Sequence, residues 1–266
     1  MKRLVVPFAL LTLVSATCSG SSAPAAIGGT VPGGGTSELV VFAASSLAGA
    51  FTQIGNDFEA EHQGATVTFN FGPSDGLAAQ IESEGTADVF ASASPTWMDD
   101  VREKGPGISD RTDFAQNKLV VIVPSDNPAG IASLADLAKP GVKLVLAAEG
   151  VPVGDYARQA LTSAGIANRA EANIVSNEED DASVVAKVTS GEADAAIVYA
   201  SDVTPAVAPT VKAIQVPDDV NVIATYAIAV VTGTKVPDLA RAFVGYVLDQ
   251  GQAALRSFGF LPPPAP

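Results

Sequence analysis

Four short turns rich in Ser, Gly or Asp each follow an apolar strand pattern and open a helix pattern. They are Ser45-Ser46, Gly72-Pro73-Ser74-Asp75-Gly76, Gly150 to Gly154 and Asn177 to Asp181. The chemistry open to them is anion binding by neutral dipoles. The first N–H groups of a helix have no acceptor within it and carry together about half a positive charge. Several such starts around one cleft hold an anion without Lys or Arg. Ser, Asp and Gly are also ordinary helix caps, so each turn taken alone fits a purely structural role equally well. The second turn offers a different chemistry, since Gly72-Pro73-Ser74-Asp75-Gly76 satisfies G-x-S-x-G between a strand and a helix, where a hydrolase nucleophile would sit.

The elements that must position these turns are legible in the periodicity. Leu39 to Ala44 reads as a strand, and Leu47, Phe51, Ile54 and Phe58 recur at helical spacing after it. Val67, Phe69 and Phe71 alternate as in a strand, and Leu77 and Ile81 begin the next helix. Lys143 to Ala148 is a third strand, followed by a helix with Tyr156, Ala160, Leu161 and Ala164 on one face; Val184, Val185 and Val188 mark a fourth helix. Further strands are expected at Ala87 to Ala91, Lys118 to Pro124, Ala193 to Ala200, Ala213 to Val216 and Tyr226 to Val231, and a last helix at Pro237 to Asp249. This alternation predicts an α/β fold of parallel sheets covered by helices, with ligands beyond the carboxyl ends of the strands, where the turns lie.

Composition narrows the function. The 266 residues are 47% hydrophobic and 17% charged, enough for two lobes or one large domain with a buried core. A formal charge of −14 argues against nucleic acid and acidic membrane surfaces as partners, both of which need a basic face. Lys2-Arg3 followed by the apolar run Leu4 to Val14 has the pattern of a signal peptide over 1–17, so the chain is expected to be exported. Its removal takes the charge from −14 to about −16, since Lys2 and Arg3 leave with it. Cys18, the only cysteine, follows as in a lipobox, although Ser15 and Thr17 depart from the usual box residues; a lipid anchor there would be the only membrane contact. Residues 18–37, rich in Gly, Ser, Pro, Ala and Thr, read as a flexible tether.

The ordered segments VVFAASSL, NFGPSDGLAAQIE, ADVFASASPTWMDDV, NKLVVIVP, EGVPVGDYARQAL, NEED, ADAAIVYASDV and GQAALRSFGF resemble the bacterial molybdate-binding proteins of ABC transporters over Leu39 to Phe260. The resemblance implies a type II periplasmic-binding-protein fold: lobe 1 from 38–118 plus 225–266, lobe 2 from 119–224, and a ligand cleft between them. It implies molybdate or tungstate as ligand, no cofactor, no catalysis, permease and ATPase subunits as partners, and a monomer at the outer face of the cytoplasmic membrane or in the periplasm. By motif, the oxyanion ligands would be the hydroxyls of Ser46, Ser74 and Tyr199 and the N–H groups of Val153 and Asp181. Trp97 and Met98 match too and are read as packing.

Asp181 departs from the family, which has an apolar residue there. An inward carboxylate would repel a dianion, so its side chain is expected to turn outward or cap its own helix. Selection among tetrahedral dianions would rest on cavity size; molybdate and tungstate are too alike to separate. The alternatives are another tetrahedral oxyanion or a small organic anion in the same fold, and, more remotely, a secreted serine hydrolase using Ser74. An organic acid would normally recruit an Arg, and none lies in the four turns. The hydrolase needs a histidine after the serine, whereas the single histidine, His62, precedes it and reads as a solvated surface residue. Ferric-ion binding would call for adjacent tyrosines, and Tyr156, Tyr199, Tyr226 and Tyr246 are separated in the sequence.

Overall fold

Alternating side chains of the first strand enter two different cores, and this two-sided burial fixes the architecture. In the computed structural model, which describes residues 37–264, β1 (Ser37–Ala44) sends Leu39, Val41 and Ala43 into one apolar cluster and Phe42 into another. A strand buried on both faces belongs inside a sheet covered by helices. The export segment, Cys18 and the tether as far as residue 36 lie outside the described residues; Ser37, expected as tether, already pairs with Ala65.

A 3-10 turn, Ser45–Leu47, leads from β1 into α1 (Ala48–Glu61). Then come β2 (Ala65–Gly72), α2 (Ser74–Glu84), β3 (Val89–Ser92), α3 (Pro95–Lys104) and the 17-residue β4 (Ile108–Pro124). The next stretch holds β5 (Leu144–Ala147), α4 (Pro152–Ser163), α5 (Ala167–Glu171), β6 (Ile174–Glu178), α6 (Asp181–Thr189), β7 (Ala195–Tyr199) and β8 (Val211–Gln215). β9 (Ile223–Val231), α7 (Pro237–Leu248) and α8 (Gly251–Ser257) complete the order.

The strand order is β2-β1-β3-β9-β4-β7-β5-β6, with β8 also on β4. β4 joins two halves: from Ile108 to Lys118 it pairs with β9, from Leu119 to Ile122 with β7, and from Val120 to Pro124 with β8. Parallel pairing holds, as expected, for β2-β1-β3 and for β6-β5-β7. It fails for β4, β8 and β9, whose pairings are antiparallel. β4 leaves the first half and β9 returns to it, so the two run in opposite senses; β7 and β8 both run opposite to β4. The first part of β4 escaped the sequence reading because Ile108 to Asp113 is mostly polar and exposed and its register slips at two places.

Aromatic packing backs the first half. Phe51 lies 5.8 Å from Phe114, Phe58 5.3 Å from Phe243 and 5.5 Å from Tyr246 between ring centroids. His62, expected on the surface, is half-buried: its ring stacks on Phe58 at 3.9 Å and its Nδ1 lies 3.0 Å from the Phe58 carbonyl. An imidazole has enough apolar face to close the end of an aromatic stack, and His62 sits at the C-terminal end of α1, beside Phe58 one turn back.

The second half is drawn tight at Gly154, where a Cβ would lie 2.4 Å from the Ala148 carbonyl oxygen and 2.5 Å from that of Ala147. Only glycine lets α4 start so near the end of β5. Gly154→Ala is expected to destabilise the protein by about 1–3 kcal/mol, as overpacking against an immobile backbone does. Urea denaturation checks this, and an unchanged midpoint would show that α4 shifts freely.

Candidate functional site

Helix starts from both halves meet at one space. α2 begins at Ser74 directly after β2, α4 begins at Pro152 after β5, α6 begins at Asp181 after β6, and the Ser45–Leu47 turn follows β1. Ala44, Ser45, Ser74, Val153, Asp181 and Tyr199 are among the residues bounding a cavity of about 10 Å³, room for little more than one water molecule. By position, Val153 and Gly154 in the first turn of α4 have no acceptor in their own helix for their N–H groups.

Four of the five residues singled out by sequence line this cavity: Ser74, Val153, Asp181 and Tyr199. Ser74 is buried, and its hydroxyl accepts from the Ala93 N–H at 3.1 Å, leaving its proton free for another acceptor. The Tyr199 hydroxyl is buried with no hydrogen-bond partner. Burial, reinforced by neighbouring acidic groups, pushes its pKa well up, so it is a donor at any physiological pH. Ser46 does not line the cavity; its Oγ is 2.8 Å from the Tyr226 hydroxyl. Its neighbour Ser45 does, with a buried hydroxyl that has no partner.

Asp181 corrects the sequence reading. Its side chain neither turns outward nor caps its helix: it is 7% exposed, and the cap of α6 is Asp180, whose Oδ1 accepts from the Ser183 N–H at 2.7 Å. The carboxyl lies inward, toward the hydroxyl and N–H of Ser46. Burial, then the charge of Asp180, raises its pKa to about 7, and Ser46 offsets part of the rise. Asp202 on the facing turn is also buried, its Oδ2 accepting from the Tyr199 N–H at 2.8 Å. Burial followed by the proximity of Asp181 holds Asp202 well above the usual carboxylate range. The outward expectation fails because the first residue of α6 is packed against the Ser45–Leu47 turn, which keeps its side chain from extending into solvent.

Several residues here carried no sequence signal. Tyr226 supports Ser46, and Asn117 Nδ2 donates to Ser201 Oγ at 2.7 Å beneath them. Tyr199 and Tyr226, far apart in sequence, pack with ring centroids 5.8 Å apart. Arg158 lies outside the turns yet ties two of them together, donating to the Ala147 and Gly154 carbonyls at 2.8 and 3.0 Å and to Asn177 Oδ1 at 2.6 Å. Trp97 does more than pack: its indole N–H donates to the Gly150 carbonyl at 3.1 Å, linking α3 to the turn before α4, whereas Met98 is fully buried in the core. Ser74 has no imidazole beside it, His62 being stacked on Phe58. Among the described residues, no group of three or more His, Cys, Asp or Glu side chains could hold a metal ion, and no helix is long and apolar enough to cross a membrane.

Two α/β halves joined by crossing strands, with helix starts from both around one small cavity, define a solute-binding protein of the periplasmic-binding-protein type. A sequence model of the bacterial extracellular solute-binding protein family matches residues 39–261, and the chain belongs to that family. The molybdate-binding protein ModA of Mycobacterium tuberculosis H37Rv is 41% identical to it over 245 residues, covering 92% of each chain. Among solved structures, the periplasmic molybdate-binding protein of Azotobacter vinelandii superposes with a TM-score of 0.76 at 21% identity, covering 85% of this chain and all of that one. The sulfate-binding protein SubI of Mycobacterium tuberculosis H37Rv gives 0.75 at 15% identity, covering 85% of this chain and 86% of that one. The fold is thus shared by proteins named for different oxyanions.

A carboxyl whose pKa is raised on folding binds its proton more tightly in the native than in the unfolded state. Stability from Asp181 is therefore full below about pH 4 and is lost as pH rises toward 7. Asp181→Asn should flatten that slope and be more stable than the parent at pH 8 by about 1 kcal/mol or more. Denaturant titrations at pH 5 and pH 8 measure the difference; equal slopes for both proteins would place the carboxyl in water.

Proposed function

We propose that this chain captures molybdate or tungstate outside the cytoplasm and delivers it to an ABC transporter, without performing chemistry on it. The observation that carries the reading is the Tyr199 hydroxyl, a buried donor with no partner, facing a cavity bounded by helix starts. An unsatisfied buried hydroxyl costs about 1–3 kcal/mol, a cost that a ligand acceptor would remove. Among the described residues, no Lys or Arg lines the cavity, so recognition would rest on neutral hydroxyls and N–H groups, which bind an anion through charge-assisted hydrogen bonds. The 41% identical relative is a molybdate-binding protein, which favours molybdate among the oxyanions this fold can take.

The ligand set is Ser74, Tyr199 and the N–H groups of Val153 and Asp181, with Ser46 or Ser45 completing it when the lobes close. The lobes are 38–118 plus 225–266 and 119–224, a division supported by the change of partner along β4 between Lys118 and Leu119. Trp97 and Gly150 lie on opposite sides of that division, so their hydrogen bond would latch the closed form. Permease and ATPase subunits receive the ligand, the binding protein acts as a monomer, and Cys18 tethers it to the membrane through lipid.

Isothermal titration of the purified protein with molybdate, tungstate, sulfate and phosphate tests the reading. One-to-one binding of the first two with weak or absent response to the others is expected; preference for sulfate or phosphate would overturn the specificity. Tyr199→Phe has a two-part signature: no loss of stability without ligand, and affinity lower by about 1–3 kcal/mol, because only the liganded state uses the hydroxyl. Unchanged affinity in that variant would remove Tyr199 from the site.

A further inference from the structure

Asp181 lines two spaces at once. It bounds the small cavity with Ser74, Val153 and Tyr199, and also a groove of about 470 Å³ that includes Ser46, Val185, Asp202 and Phe258. Asp181, whose carboxyl lies toward Ser46, therefore stands between the space assigned to the oxyanion and a second, wider one. The groups facing it are all acidic or neutral: Asp180 from its own helix, Asp202 from the turn after β7, Tyr199 from β7, Tyr226 from β9 and Ser46 from the turn after β1. Among the described residues, no Lys, Arg or His lines either space. A dianion entering beside an ionised Asp181 would meet a second uncompensated charge in a region of low dielectric, which is among the most costly arrangements in a protein.

Resting on the reading that the cavity takes a tetrahedral oxyanion, we propose that capture is coupled to one proton, carried by the Asp181 carboxyl, which as a neutral acid donates to an oxygen of the bound anion. The side chain, and not only the N–H of residue 181, is then part of the ligand set. The balance is simple: carboxylate, solvent proton and dianion combine into a complex holding a carboxylic acid and the dianion. The raised pKa of Asp181 means that the proton is already partly in place near neutral pH. The groove gives solvent a route to the carboxyl that does not pass through the anion cavity.

Titration of the purified protein with molybdate between pH 6 and pH 9, in two buffers of different ionisation enthalpy, counts protons directly. Above neutrality the parent is expected to take up close to one proton per anion, and its affinity to fall about tenfold per pH unit. Asp181→Asn, which keeps a donor and cannot titrate, is expected to bind with no proton uptake and no such pH slope. Proton release would mean that the carboxyl leaves the site and ionises, and would overturn the proposal. PH-independent binding by the parent, or tight binding of hydrogen phosphate without uptake, would overturn it equally, the latter by requiring an ionised Asp181 that accepts from the ligand. If neither protein binds any of the four oxyanions at any pH, the assigned function fails and this inference with it, an outcome distinct from binding without proton exchange.

Discussion

Polar groups taken out of water must find partners, and this fold leaves a small set without them around one point. The Tyr199 and Ser45 hydroxyls are buried and unpaired, and the starts of α2, α4 and α6 bring N–H groups that no helical carbonyl can reach. Much of the remaining architecture serves to hold these groups in convergence. Parallel strands β1 and β2 deliver two of the turns from one half; β5, β6 and β7 deliver the rest from the other. Gly154 lets α4 approach β5, and Arg158 fixes its first turn to the end of β6. Unsatisfied donors are destabilising in isolation, and their clustering at one point is the feature on which the proposed ligand site rests.

Electrostatics gives the site its particular character. The chain is strongly acidic, with a formal charge of −14, yet its candidate ligand is an anion. The conflict is resolved locally: dipoles line the cavity, and two buried carboxyls, Asp181 in its lining and Asp202 nearby, are held toward their neutral forms by burial and then by a neighbouring carboxylate, Asp180 for Asp181 and Asp181 for Asp202. Long-range repulsion between anion and protein is screened over about 8 Å at physiological ionic strength, so the lining of the cleft matters more than net charge.

The turns themselves were legible in the sequence because strand and helix periodicities change abruptly at Ser45, Ser74, Pro152 and Asp181, and the helices begin at or within three residues of these positions. What was not legible depended on pairing between distant segments. The antiparallel course of β4 and β9 could not be read from local alternation, which treats every strand as a crossover partner. Tyr226 and Asn117 gave no motif, and their roles exist only because β9 and β4 lie side by side beneath Ser46. The direction of Asp181 was misread for a related reason. Backbone preference places an Asp at a helix start, but its side chain is committed by the opposing turn, which comes from residues 45–47.

In the proposed function, a tetrahedral oxyanion occupies the space between Ser74, Val153, Asp181 and Tyr199. Crystals of the protein grown with tungstate would locate the metal directly through its anomalous scattering. One strong peak is expected in that space, with the Tyr199 hydroxyl at hydrogen-bond distance from an anion oxygen, about 2.5–3.0 Å. A peak elsewhere, or saturating tungstate with none in the cavity, would contradict it.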